Sequence, residues 1–311
     1  KVMEVIESPD FNRPNNKPVV IAIGAFDGLH YGHRKIIETA VNKADNFNLY
    51  SGVYSFSPHP QQVIKSKSSP SLIISLKQKL KILEKIGIDY FFKQIFTANF
   101  ARIPYDLFIK NILVEKLKAS FIVVGEDFRF GYKGKGDVGD LIKYSRKYNY
   151  KIKVLKPIRI NGRKVSSSYI RKLIKRGKVK KVQKYLGNYY TIEGKVIYGK
   201  GRGRKIGFPT ANLELTTNYV LPPEGVYAGY VYYNEERYLG VANFGYKPSF
   251  SDKDYSIEIH ILNLPENDKL YGSIISFEIR DFIRKEKAFS SIEELEDQIS
   301  RDILYTKKYL C

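Results

Sequence analysis

Residues 24–33 read GAFDGLHYGH, between the apolar run VVIAI at 19–23 and a stretch, 31–46, whose apolar residues recur at helical spacing. This order predicts a strand, a glycine-rich turn and a helix. Such a turn leaves backbone N–H groups and a helix N-terminus open to an anion, and it puts the imidazoles of His30 and His33 where the helix begins. It is a place to hold phosphates, with Gly24, Gly28 and Gly32 marking the tight backbone around Phe26 and Asp27. His30 and His33 also have the spacing of paired metal ligands. The supply of further ligands argues against that use, since the chain has four histidines and its single cysteine is Cys311.

Outward from this turn, the pattern of strand then helix repeats. Strands are expected at 50–56, 89–96, 121–125 and 151–158, and helices at 75–87 and from Pro104 to about residue 118. Alternation of this kind predicts a Rossmann-like α/β domain with a doubly wound parallel sheet, in which ligands collect at the carboxyl ends of the strands where the order reverses. Three segments fall there: the turn at 24–33, SPHP at 57–60 with His59, and VGEDFRFGYKGKGD at 124–137. Farther on, VSSSYIR (165–171) opens a helix with three hydroxyls, Ser166, Ser167 and Ser168, and carries Arg171 one turn later. A serine run there can be only a cap. It equally suits a triphosphate, because hydroxyls, free helical N–H groups and a guanidinium all donate to phosphate oxygens.

Near residue 186 the texture changes to short alternating strands at 192–198, 211–215, 226–233, 238–244, 256–264 and 274–283, which predict a small antiparallel β-barrel. A final helix from about residue 291 is announced by Ser291 and Glu294, spaced as a capping box. The chemistry of this half centres on GKGRGRKIGFPTANLEL, residues 199–215. Thr210 and Asn212 stand two apart on a strand and so face the same way. Their oxygens can share one hard cation, and Mg²⁺ commonly sits between such oxygens and the phosphates of ATP. Glu258 lies between Ile257 and Ile259, and the alternation by itself leaves open whether it faces solvent or a site.

A chain of 311 residues is longer than one core usually serves, so two domains are expected, 1–186 and 187–311. One cysteine excludes an internal disulfide framework and fits a reducing compartment. The first 18 residues hold no long apolar run, and the expectation is a cytoplasmic protein with no membrane partner. A net charge of +21 raises a second reading, a basic nucleic-acid-binding protein with a barrel platform. The lysine excess is spread over the whole chain, however, and it would also draw anionic substrates such as ATP without a nucleic-acid partner.

The strings themselves resemble known families. GAFDGLHYGH is similar to the GxFDGxHxGH signature of bacterial FAD synthetases, and SFSPHP and GEDFRFG resemble that family's FxPHP and GxDFxFG. The resemblance implies that His30 and His33 stabilise a triphosphate. It implies nucleotide contacts from Gly24, Phe26, Asp27, Gly28, Gly32, His59, Gly125, Asp127 and Phe128, and from Ser166, Ser167, Ser168 and Arg171, with Ser168 where threonine is usual. Residues 199–215 resemble the GxxxGRxLGFPTAN signature of riboflavin kinases. That implies ATP contacts from Gly199, Gly203, Lys205, Gly207, Phe208, Pro209, Thr210 and Asn212, with Mg²⁺ on the last two. VANFGYKPSF (241–250, Ser249 replacing threonine) and SIEIHIL (256–262) resemble further strings of that family. By the same resemblance Glu258 is the base and Arg284, Glu286 and Phe289 contact flavin. All four histidines fall within these strings. The chain thus resembles the bifunctional riboflavin kinase and FAD synthetase family, implying ATP, riboflavin, FMN and FAD as substrates or products. HxGH alone also admits adenylylation or cytidylylation of a different small phosphate.

Overall fold

The computed structural model describes residues 2–13, 17–64, 70–199, 203, 206–246, 255–265 and 270–310. Lys205 and Ser249 lie outside them. The chain forms two compact units, residues 1–70 with 76–166, and 71–75 with 167–311.

The first unit is a six-stranded parallel sheet of β1 (Glu4–Glu7), β2 (Val19–Ile23), β3 (Tyr50–Ser57), β4 (Tyr90–Ile95), β5 (Ala119–Gly125) and β6 (Lys151–Leu155), in the order β1-β4-β3-β2-β5-β6. Among the helices that join them are α1 (Tyr31–Phe47), α2 (Pro60–Ile64), α3 (Leu76–Ile86), α4 (Tyr105–Leu107, continued by the wider turns of Phe108–Lys116) and α5 (Val138–Tyr148). Every residue of β2 is buried, as its unbroken apolar run requires of a strand covered on both faces. Because β3 pairs with one edge of β2 and β5 with the other, the strand order reverses at β2. The turn at 24–33 leaves its carboxyl end, at the switch point where sheets of this kind collect ligands.

Some elements differ from the expectation. The strand expected at 151–158 stops at Leu155, just ahead of Pro157, which has no N–H for a ladder. Beyond it a hairpin forms from β7 (Arg159–Ile160) and β8 (Arg163–Lys164), too short to register as periodicity. Helix α5, at a place where no helix was expected, is announced by a capping box of Asp137 and Asp140.

The second unit is a closed antiparallel barrel of β9 (Tyr190–Ile197), β10 (Thr210–Leu215), β11 (Gly225–Tyr233), β12 (Glu236–Tyr246), β13 (Tyr255–Ile261) and β14 (Ile274–Arg284), ordered β10-β13-β12-β11-β14-β9. Tyr227, Phe244, Ile259 and Phe277 are fully buried. Helices α6 (Ser167–Ile174), α7 (Val179–Leu186) and α8 (Ile292–Leu310) belong to this unit. Position 186 is the last residue of α7, whereas the division of compactness falls after residue 166. One tie that groups α7 with the barrel is Lys180 Nζ against Asp281 Oδ2 at 2.8 Å. At the start of α8, the Glu294 N–H donates to Ser291 Oγ at 3.2 Å. The Glu294 carboxylate accepts from the Ser290 N–H at 3.0 Å, so the returning arm of the box reaches one residue farther back than the spacing suggested. Among the described residues no helix is long and apolar enough to cross a membrane.

Candidate active sites

The turn after β2 is held by its own buried side chains. Phe26 and Leu29, 1% and 0% exposed, take left-handed backbone conformations with φ of 49° and 41°, costly for residues of their size. Burial of the Phe26 ring and the Leu29 side chain in the unit holds that conformation. At Gly32 a Cβ would sit 3.2 Å from the His30 ring, so glycine is what lets that imidazole lie across the first turn of α1. His30 caps α1: its Nδ1 accepts the His33 N–H at 3.3 Å, which leaves the ring proton on Nε2. The two imidazoles stack with centroids 3.6 Å apart, and His33 meets Phe26 edge-on at 5.3 Å. Burial lowers the pKa of His30 to about 4, so at neutral pH it is a neutral hydrogen-bond donor and not a cation.

Around the turn, Asp127 ion-pairs with Lys164 at 2.6 Å, and both charges act on His30. Gly125 lies against Ile36 of α1 and Asp127 Oδ1. Phe128 stacks on Phe130 at 5.4 Å. His59 caps the short α2, its Nδ1 accepting the Gln61 N–H at 3.2 Å. Ser166 is the last residue of the first unit, while Ser167, Ser168 and Arg171 open α6 in the second, where Arg171 Nε donates to the Ser71 carbonyl at 2.9 Å. The first unit also holds a largely apolar cavity of about 480 Å³. Phe56, Phe96, Phe100, Phe108 and Phe130 line it, and Arg129 is at its margin. Sequence reading assigned no role to this cavity, because its aromatics come from β3, the segment between β4 and α4, the continuation of α4 and the loop after β5.

In the barrel, β10 and β13 pair with Thr210 opposite His260 and Asn212 opposite Glu258. Directly paired residues share a face, so these four side chains project together while Ile257, Ile259 and Ile261 point into the core. The question the alternation left open at Glu258 is thereby resolved: it lines a cavity of about 590 Å³ with Gly203, Phe208, Thr210, Arg284, Glu286 and Phe289. A cavity of that size suits a small organic substrate. The FPTAN segment is fastened from below, the His260 ring nitrogen meeting the Pro209 carbonyl at 2.8 Å. Glycine is required at 199, where a Cβ would overlap the Asn212 amide, and at 203, where it would overlap the Phe208 carbonyl. Gly207 has φ 79°.

The cavity's far wall is α8, through Leu295, Ile299 and Asp302. Asp302, 3% exposed, accepts three hydrogen bonds from Arg284: Nε to Oδ1 at 3.1 Å and to Oδ2 at 3.0 Å, and Nη2 to Oδ2 at 2.8 Å. Glu286 accepts from Asn243 Nδ2 at 2.7 Å. Asn243, Tyr246 and Asp302 are cavity residues to which sequence reasoning gave no role, although the first two fall within the family-like string at 241–250.

Comparison with known proteins covers both halves. A family profile for FAD synthetase matches residues 12–169, and one for riboflavin kinase matches residues 186–310. The bifunctional riboflavin kinase/FMN adenylyltransferase of Bacillus subtilis is 37% identical over 287 residues, covering 91% of this chain and 90% of that protein. The Escherichia coli protein of the same description is 35% identical over 291 residues, with 93% and 92% covered. A crystal structure described as a macrolide-efflux protein from Streptococcus pneumoniae shares the fold, with a TM-score of 0.88 and 27% identity over 97% of this chain and 98% of that one. With both profiles matched in order and full-length relatives at this identity, the chain belongs to the family of bifunctional riboflavin kinase/FMN adenylyltransferases, enzymes that phosphorylate riboflavin and adenylylate the FMN to FAD.

Proposed function

We propose that the kinase step takes place in the 590 Å³ barrel cavity and the adenylyl transfer at the histidine turn, with residues 187–311 and 1–186 as the respective functional regions. The observation that carries the first assignment is the convergence of Glu258, Thr210, Arg284, Glu286 and Phe289 on one cavity from three separate sequence segments. Glu258 takes the proton of the riboflavin 5′-hydroxyl as its oxygen attacks the γ-phosphorus of ATP, and ADP leaves. Thr210 Oγ1, Asn212 Oδ1 and the Glu258 carboxylate are hard oxygen donors on one face, a set that fits Mg²⁺, with Thr210 and Asn212 holding it. Bound there, the ion would neutralise phosphate charge. Arg284 and Glu286 are each tied down by hydrogen bonds, which holds the rim of the flavin pocket in place for Phe289 to cover the ring.

At the histidine turn, a phosphate oxygen of FMN attacks the α-phosphorus of ATP and pyrophosphate leaves. His30, neutral with its proton on Nε2, donates to a phosphate oxygen beside His33, and the N-terminus of α1 adds its free N–H groups. Asp127, ion-paired with Lys164, borders the nucleotide. The aromatic cavity lined by Phe56, Phe100 and Phe130 takes the isoalloxazine ring of FMN. Riboflavin, FMN and ATP are the partners, without nucleic acid or membrane, and the enzyme works in the cytoplasm.

The test is to incubate the protein with riboflavin, ATP and Mg²⁺ and resolve riboflavin, FMN and FAD over time. FMN rising and then yielding to FAD is expected. Glu258→Ala should stop FMN formation while FMN supplied from outside is still converted to FAD, and His33→Ala should halt the course at FMN. Loss of both steps in either variant would overturn the assignment of separate sites.

A further inference from the structure

Lys79 lies on α3 at a position the helical stripe of Leu76 and Leu83 assigns to an apolar residue, and it is only 7% exposed. Its Nζ donates to the carbonyl oxygen of Ala25 at 2.8 Å, and Ser55 Oγ donates to the same oxygen at 3.2 Å. Ala25 is inside the histidine turn, between Gly24 and the left-handed Phe26. A buried ammonium is expensive, and a leucine there would pack at less cost if filling space were the whole task. The nearby carboxylate of Asp27 offsets part of that cost, yet burial still brings the Lys79 pKa down to about 8. What the lysine does achieve is directional. A carbonyl among the N–H groups of a phosphate-binding turn would repel the triphosphate if it faced the ligand, and two buried donors hold this one inward.

We propose that Lys79 is a positioning residue for adenylyl transfer: by pinning the Ala25 carbonyl it keeps the turn in the shape that presents His30, His33 and the N-terminus of α1 to the triphosphate. The proposal rests on the reading that this turn is the ATP site.

The experiment uses the full chain with Lys79→Met, close in length and shape but without the donor, and Ser55→Ala, which removes the weaker donor and adds no bulk. FMN adenylylation is measured for kcat and for the KM of ATP and FMN, alongside thermal unfolding, with riboflavin phosphorylation by the same molecules as an internal control. Expected for Lys79→Met is a fall in adenylylation kcat of about 30-fold or more, with both KM values within about threefold, kinase turnover unchanged, and an unfolding temperature equal to or above the parent's. Ser55→Ala should lower the same kcat by about three- to tenfold. A kcat within threefold of the parent in Lys79→Met would overturn the proposal. So would a fall in kcat matched by a fall in unfolding temperature, which is the signature of a merely structural residue. If Lys79→Met does not fold, Ser55→Ala decides, and no change in its kcat overturns the proposal. His33→Ala is run in parallel. Activity lost there but kept in Lys79→Met refutes the role of Lys79 alone, and activity kept in both refutes the ATP site at the turn.

Discussion

Asp302→Ala tests how the proposed flavin cavity of the barrel is closed. Asp302 accepts all three of its Arg284 hydrogen bonds with its side chain 3% exposed, and the Arg284 side chain is 20% exposed. Gln298 Nε2 donates to the same carboxylate at 3.0 Å, and the Thr306 hydroxyl donates to the Asp302 carbonyl at 2.8 Å, so the residue links α8 to itself as well as to β14. Removing one partner of a buried ion pair costs about 3–5 kcal/mol, because the other charge is left uncompensated. The partial exposure of Arg284 lets water take over some of that role and brings the expected loss to about 2–3 kcal/mol. For a unit of this size that is a fall in Tm of about 6–9 °C. Scanning calorimetry of the full chain should show it in one of two transitions, the one that riboflavin raises. Since Leu295 and Ile299 reach the cavity from the same helix, the KM for riboflavin should rise about tenfold, and adenylylation of supplied FMN should be untouched. A Tm change under about 2 °C together with an unaltered riboflavin KM would refute the idea that this pair seats α8 against the cavity.

Gly199→Ala drives a methyl group into the Asn212 amide, and kinase kcat should drop about tenfold or more with FMN adenylylation intact; equal kinase rates would mean that Asn212 can move without consequence. His30 has a folded pKa of about 4 against an ordinary 6.5, so the unfolded chain binds the extra proton between those values. Stability is complete above pH 6.5 and is lost as pH falls toward 4, by about 3 kcal/mol. His30→Asn should flatten that part of the Tm-against-pH curve, and an unchanged slope would show that another group controls it. Phe100→Ala opens the aromatic cavity of the first unit and should raise the KM for FMN about tenfold while that for ATP stays within twofold; the reverse pattern would place the flavin elsewhere.

Periodicity and local strings carry much of this protein. The unbroken VVIAI, the glycine turn behind it and the alternating strands after residue 186 specify a parallel sheet and then a barrel, because burial on both faces and burial on one leave different marks on a chain. His30, His33, Thr210 and Asn212 were legible as candidates, because the proposed chemistry needs several donors within a few residues of each other. Glu258 was legible as a residue but not as a direction. Only its pairing with Asn212 across β10 and β13 turned it toward the cavity, since a strand's alternation states that two faces exist and not what lies on each. Lys79 is one of four lysines in an eleven-residue helix; the spacing of Leu76 and Leu83 sets it on the apolar stripe, but nothing local names the Ala25 carbonyl as its partner. The same holds for Asp302 and for the phenylalanines of the aromatic cavity, whose partners stand many residues away. Contacts over such distances are made by packing the elements against one another, which is the step that tertiary structure alone decides.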